Sequence, residues 1–216
     1  VQTSTDELVD ISLKRLELLF KQETSPRDTA AIILETVLGE GGYVPAPTAF
    51  LEGVRAICDK HGILLIVDEI QAGFGRTGKM FAIEHSGVRP DLMTFAKGFA
   101  NGYPISCLVG NKGVMDVMSP GTLGGTYAGN AVACAAARAT IETFQNERVL
   151  ENVAERSKQL FSGLDAIRQT SFGKVIEDIR GMGLMVGVQF ASGPGEPIAQ
   201  RLSKACLLYT SDAADD

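Results

Sequence analysis

The chain has 216 residues, 45% hydrophobic and 21% charged, with 24 glycines and a formal net charge of -6. That is a globular composition, long enough for one large domain and part of another. The acidic balance argues against nucleic acid or an anionic membrane as a partner, and no apolar run approaches the length needed to cross a bilayer.

Cys58, Cys107, Cys134 and Cys206 are widely spaced and form no CxxC pair. They read as reduced thiols of an intracellular protein. The two histidines, His61 and His85, are too few for a histidine-rich metal site, so no metal is expected. Val1 follows neither a Met nor a signal peptide, so the N-terminus reads as cut rather than processed.

In chain order, residues 6–22 have leucines and Ile11 at near-helical spacing behind Ser4 and Thr5, which predicts an amphipathic helix. An apolar run from Ala30 to Leu34 ends at Glu35 and leads into the glycine-rich loop 39–42. Thr48 to His61 is a second predicted helix, with Gly62 as its stop. Strand 63–67 follows, then a polar loop to Lys79 and a short helix near 80–86. A strand over 92–96 delivers Lys97, and Ile105 to Val109 is a further apolar run. Small residues from Ala128 to Ala139 predict a closely packed helix, and a long helix is expected over about 147–169.

Short apolar strands alternating with helices predict an α/β fold whose mostly parallel sheet is covered on both faces. Residues 1–150 would form this major domain, in part. Strands over 175–180 and 184–190, around Gly181 to Gly183, would open a second, α+β domain over 151–205. The stretch 206–216 abandons the helix begun at Pro197. It resembles the translated read-through of a sequencing adapter, and is expected to be non-native.

Two glycine motifs compete for attention. Gly73, Gly75 and Gly78 satisfy GxGxxG, with Asp91 at a distance suited to a ribose-binding acid. A dinucleotide-binding oxidoreductase is therefore an alternative from another enzyme class. Against it, residues 68–72 separate strand from glycines, and the adjacent carboxylates of Asp68 and Glu69 would repel a pyrophosphate. Gly73 to Lys79 nearly spells a Walker A loop, but Met80 stands where a Ser or Thr must bind magnesium. A tight surface turn is the simpler reading of these glycines.

The stronger signal is the pair Asp68 and Lys97, each at the exit of a buried strand. A lysine that can form a Schiff base and an acid that keeps a pyridine nitrogen protonated are what a pyridoxal phosphate (PLP) site requires. Gln71 can reach a ring hydroxyl from the same loop as Asp68, and Ile70 can press on a ring face. Gly124, Gly125 and Thr126 offer amides and a hydroxyl to a phosphate, ahead of a helix N-terminus.

The strings GEGG (39–42), IVDEIQ (66–71), GRTG (75–78), TFAKG (94–98) and GGTYAGN (124–130) resemble the class III aminotransferases, PLP enzymes of fold type I. Order and spacing agree over about residues 30–190, including equal intervals from Asp68 to Lys97 and from Lys97 to Thr126. Within the class the strings look most like those of 4-aminobutyrate aminotransferases. Acetylornithine and ornithine aminotransferases, or a dialkylglycine decarboxylase, share the same constellation.

The resemblance implies a role for each matching residue. Lys97 would bond the cofactor and shuttle the substrate proton, and Asp68 would pair with the ring nitrogen. Gln71 would contact the phenolic oxygen and Ile70 would pack on the ring. Thr126 would bind the phosphate of the neighbouring subunit's cofactor, which implies a homodimer. Glu40 matches a switch glutamate that pairs with a substrate-site arginine for amine donors lacking an α-carboxylate, and releases it for 2-oxoglutarate. Glu35 matches a substrate-pocket acid.

The family usually has Pro where this chain has Thr36, a change expected to affect loop stiffness more than chemistry. The chain also lacks the family's N-terminal phosphate loop and stacking aromatic ring, and its C-terminal carboxylate-binding arginine. The sequence is therefore expected to be half of a cytoplasmic or mitochondrial transaminase of 4-aminobutyrate or a similar ω-amino acid. On its own it would be inactive, at most able to pair with another subunit.

Overall fold

The computed structural model describes residues 3–191. The expected helix from Pro197 and the tail 206–216 lie outside them, as does part of the expected second domain. Helix α1, Thr5–Gln22, starts at a capping box. The Glu7 amide donates to Ser4 Oγ at 3.2 Å while the Ser4 amide donates to Glu7 Oε2 at 2.9 Å. Strand β1 (Ala31–Glu35) leads into a two-stranded antiparallel ribbon, β2 (Val37–Leu38) with β3 (Val44–Pro45), which turns through the glycine loop. Helix α2, Thr48–His61, stops at Gly62, whose φ of 69° is a left-handed cap that favours glycine.

Strands β4 (Leu64–Asp68), β5 (Leu92–Phe95) and β6 (Cys107–Gly110) complete a four-stranded sheet in the order β1-β4-β5-β6. β1, β4 and β5 are parallel, as expected, but β6 runs antiparallel to β5. A parallel return needs a crossover of about a dozen or more residues, usually helical. The link here instead reverses through Asn101 and Gly102, at φ 47° and 108°.

Beyond the one-turn helix α3 (Lys112–Met115) come α4 (Ala131–Asn146) and α5 (Val149–Arg168). The short helix expected near 80–86 is a 3-10 turn over Ala82–His85. Strands β7 (Ile176–Met182) and β8 (Met185–Phe190) form a separate antiparallel hairpin. Its turn sits at Gly183 and Leu184, later than the glycine spacing predicts. Gly183 at φ 63° supplies the positive angle that a two-residue hairpin turn requires at its first position.

The core lies on one face of the sheet. Leu65 and Val67 of β4 are fully buried against Val54, Ile57 and Cys58 of α2 and Phe20 of α1. By strand alternation the opposite face carries Ile33, which is 61% exposed, and Leu108, 42% exposed. The sheet is thus not covered on both faces among the described residues. Three of the cysteines, Cys58, Cys107 and Cys134, are free thiols, and burial pushes the Cys58 thiol up.

Asp91 pins the N-terminal end of β5. Its Oδ2 accepts from Arg55 Nη1 at 2.7 Å and from the Leu65 amide at 2.8 Å, and its Oδ1 accepts from Asn111 Nδ2 at 3.2 Å. Burial pushes this carboxyl up, but the Leu65 amide, the Arg55 guanidinium and Asn111 together hold it below its ordinary value. A depressed folded pKa gives stability that is full above the unfolded value of about 3.9 and is lost as pH falls through the folded one. Asp91→Asn is therefore expected to cost about 1–3 kcal/mol at neutral pH and to flatten the acid limb of stability. Urea midpoints measured from neutral to acid pH in both proteins check this; parallel curves would contradict it.

Candidate active site

The pairing register draws two candidate residues and a third polar residue into one row. Glu35 of β1 stands opposite Asp68 of β4, and Asp68 stands opposite Thr94 of β5. The row crosses the C-terminal ends of three adjacent parallel strands, the edge where open α/β sheets place their ligands. Asp68 Oδ1 accepts from the Ile70 amide at 2.9 Å, a local turn that holds the carboxylate at the strand exit and swings the chain towards Gln71. Ile70 is half-buried.

Glu35 and the glycine loop close one side of the site. Glu35 Oε2 accepts from the Gly39 amide at 3.1 Å. Gly39 lies so close to Gln71 that a Cβ there would meet the side-chain amide at 3.0 Å. Gln71 Nε2 donates to Glu40 Oε1 at 3.4 Å. Glu35, Glu40, Asp68 and Gln71 are therefore one neighbourhood. A groove of about 980 Å³ opens beside it, lined by Asp68 and Glu35 together with Ile33, Leu38 and Leu8.

Lys97 lies two residues beyond the end of β5, the strand that pairs with the Asp68 strand, at the start of a 3-10 turn. It is exposed, and among the described residues its Nζ makes no ion pair or hydrogen bond. Its φ is 45°, a left-handed angle uncommon for a side chain with a Cβ. Aromatic packing holds this backbone in place. The rings of Phe95 and Phe99, on either side of Lys97, stack edge to face at 5.0 Å, and Phe74 meets them at 5.5 and 5.2 Å.

Thr126 stays apart. It lies in the exposed stretch 121–130, and no hydrogen bond among the described residues joins it to Asp68, Gln71 or Lys97. The start of α4 is also less open to an anion than expected, because Asn130 Oδ1 already accepts from the amides of Val132 and Ala133.

The structure adds residues that sequence reasoning missed. Glu69 does not share the strand end with Asp68. It turns into the interior, fully buried, where its oxygens accept from the amides of Ala82 and Ile83 at 2.9 and 2.8 Å. Burial pushes its carboxyl up, and those two amides oppose the shift. Thr36, where the family usually has Pro, donates its hydroxyl to Glu69 Oε1 at 3.4 Å, a contact that proline cannot make. Thr94 Oγ1 is buried with no partner, in the same row as Asp68. Of these, Glu69 was signalled in the sequence only by its adjacency to Asp68, Thr36 only by standing where the family usually has Pro, and Thr94 by nothing.

The dinucleotide reading finds no support in this geometry. Gly73 and Gly75 are buried against protein: a Cβ at Gly73 would lie 2.7 Å from the Glu69 carbonyl oxygen, and one at Gly75 would lie 2.6 Å from the Phe144 ring. A four-residue 3-10 turn, not a helix, follows the glycines, and Asp91 is committed to Arg55 and the Leu65 amide.

Comparison with known proteins bears on the family. The model of the family described as Aminotransferase class-III matches residues 1–212. The chain is 48% identical to the 5-aminovalerate aminotransferase DavT of Pseudomonas putida, over 94% of this chain and 49% of that protein. It is 44% identical to the 4-aminobutyrate aminotransferase GabT of Escherichia coli, over 83% of this chain and 42% of that protein. The crystal structure of taurine:2-oxoglutarate aminotransferase from Bifidobacterium kashiwanohense, in complex with PLP and glutamate, superposes with a TM-score of 0.83 at 33% identity, covering 95% of this chain and 49% of that one. The chain thus spans about half the length of the curated relatives it matches. Family model, sequence and fold agree, and the chain belongs to the class III aminotransferases.

Proposed function

We propose that this chain supplies the cofactor-holding part of a PLP-dependent transaminase that moves an amino group from a straight-chain ω-amino acid to 2-oxoglutarate. The observation that carries the reading is the placement of Asp68 and Lys97 at the C-terminal ends of adjacent parallel strands. The donor set suits the cofactor: Asp68 ends one strand with Ile70 and Gln71 in the loop after it, and the uncommitted amine of Lys97 follows the adjacent strand. The unpartnered Thr94 hydroxyl in the Asp68 row adds a polar atom that still lacks a partner.

When bound, PLP supplies an aldehyde that takes up the amino group and a ring that delocalises the electron pair left on the substrate carbon. Asp68 would hold a proton at the ring nitrogen. Gln71 would donate to the phenolic oxygen, and Ile70 would cover one ring face. Lys97 would hold the cofactor covalently and then move a proton from the carbon bearing the amino group. Thr126 would reach the phosphate held by a second copy, which makes the active form a homodimer. Glu35 and Glu40 would face the substrate. In the same reading residues 1–150 belong to the cofactor-binding domain and 151–205 open a smaller one. Among the described residues no helix is long and apolar enough to cross a membrane.

The names of the relatives favour ω-amino acids of four and five carbons as donors. Glutamate formation from 2-oxoglutarate, measured with 4-aminobutyrate, 5-aminovalerate and N-acetylornithine in the full-length subunit, tests the choice. One ω-amino acid is expected to lead, by about tenfold or more over the other, since the two differ by one methylene. Turnover of acetylornithine alone would reassign the enzyme within the family. No glutamate from any donor would sink the proposal.

A further inference from the structure

The turn that carries Glu40 is gripped by the β7–β8 hairpin. Arg180, on β7, donates through Nε to the Gly42 carbonyl at 2.7 Å, a contact between residues 138 positions apart. Its guanidinium is itself fixed, since Nη1 donates to Asp178 Oδ2 at 2.9 Å and to Gln189 Oε1 at 3.0 Å. Gln189 in turn donates to Glu177 Oε2 at 3.1 Å. The glycine loop has no slack on this side. A Cβ at Gly42, where φ is 101°, would lie 2.7 Å from Arg180 Nη2, and one at Gly187 of β8 would lie 2.8 Å from the Gly42 carbonyl oxygen. Within the turn the amides of Gly42 and Tyr43 donate to the Gly39 carbonyl, and Gly39 rests on Gln71.

We infer that Arg180 is a positioning residue for Glu40: it clamps the Gly39–Tyr43 turn between the β7–β8 hairpin and Gln71, so that the Glu40 carboxylate is presented at a fixed place beside the cofactor loop. The inference rests on the proposed substrate-facing role of Glu40. Arginine is suited to the task, because its planar fork can hold Asp178, Gln189 and the Gly42 carbonyl at once, whereas a lysine ammonium on a flexible stem cannot keep that geometry. Glu40 is exposed and makes one long hydrogen bond, to Gln71. Its position is therefore set by the backbone it rides on. A loosened turn would weaken the handling of an amine donor that has no α-carboxylate to offer a binding arginine. It would leave the oxo-acid half-reaction nearly untouched.

The test compares R180K, E40Q and the double variant in the full-length enzyme loaded with PLP, measuring kcat/KM separately for the ω-amino donor and for 2-oxoglutarate. R180K is expected to lower the value for the amine about tenfold, the scale of one charge-assisted hydrogen bond, and to leave that for 2-oxoglutarate within about twofold. E40Q is expected to shift the ratio in the same direction, and the double variant no further. In the cofactor-free protein, R180K should speed amide exchange at Gly42 and Tyr43 about tenfold while leaving the β4 amides unchanged. Equal losses in both half-reactions, or unaltered exchange at Gly42 and Tyr43, would overturn the inference. A shift in E40Q without one in R180K would overturn it while leaving the Glu40 role standing. No shift in E40Q would remove both, since Arg180 would then have nothing to act through. If R180K fails to fold, G42A disturbs the same contact from the other side and is expected to give the same ratio.

Discussion

Replacing Lys97 by alanine is expected to abolish covalent attachment of PLP and to lower transamination by about ten-thousand-fold, the upper range for loss of a positioned proton-transfer group. The substitution separates chemistry from backbone. Lys97 sits at φ 45°, and lysine and alanine both carry a Cβ, so each bears the same left-handed strain. The side chain is exposed and unpaired among the described residues. Folding stability should therefore stay within about 0.5 kcal/mol of the parent. Two measurements check the expectation in the full-length enzyme: borohydride trapping followed by peptide mass spectrometry, and the visible absorbance of the bound cofactor. Cofactor trapped on any other lysine at parental yield would place the reactive amine elsewhere.

What could be read from the sequence was what neighbouring residues determine. Helix α2 and its Gly62 stop, the apolar strand before Asp68 and the strand before Lys97 all follow from local periodicity and turn chemistry. The row Glu35, Asp68 and Thr94 needed only the further step that consecutive strands pair in parallel. The direction of β6 was not legible, because an apolar run reads the same in either sense and Asn101 and Gly102 decide it by reversing the chain. Nor was the bare second face of the sheet, since β1 has the continuous apolar pattern of a doubly covered strand while Ile33 stands exposed.

Residues that act through distant partners were the hardest to see. Glu69 looked like a second surface carboxylate until the amides of Ala82 and Ile83 accounted for both of its oxygens. Thr36 looked like a lost proline until its hydroxyl met Glu69. Arg180 and Gly42 carry no mutual signal at all across their separation in the chain. The sequence motifs thus mark groups that would touch a cofactor. The groups that hold those motifs in place emerge only from the fold.

Asp68→Asn is expected to lower kcat by about a thousandfold while leaving the cofactor attached to Lys97. Asparagine keeps an oxygen that can accept from the Ile70 amide, the contact that fixes this side chain at the strand exit. It cannot hold a proton at a ring nitrogen as an ionised partner does. Removing one member of a desolvated ion pair costs about 3–5 kcal/mol, and each 1.4 kcal/mol, roughly, is a tenfold change in rate, so two to three and a half decades are at stake. Asp68→Ala should lose as much in rate and in addition bind PLP more weakly, since the turn to Ile70 and Gln71 is then released. Asp68→Glu keeps the charge but moves it by a methylene, and should recover part of the rate. A kcat that falls from Asp to Glu and then to Asn and Ala alike, with PLP affinity falling sharply only at Ala, is the signature of a charge that acts on the ring from a position set by the backbone. Near-parental kcat in Asp68→Asn would mean that the carboxylate merely shapes the loop, and that the electron demand of the reaction is met by some other group at this strand edge.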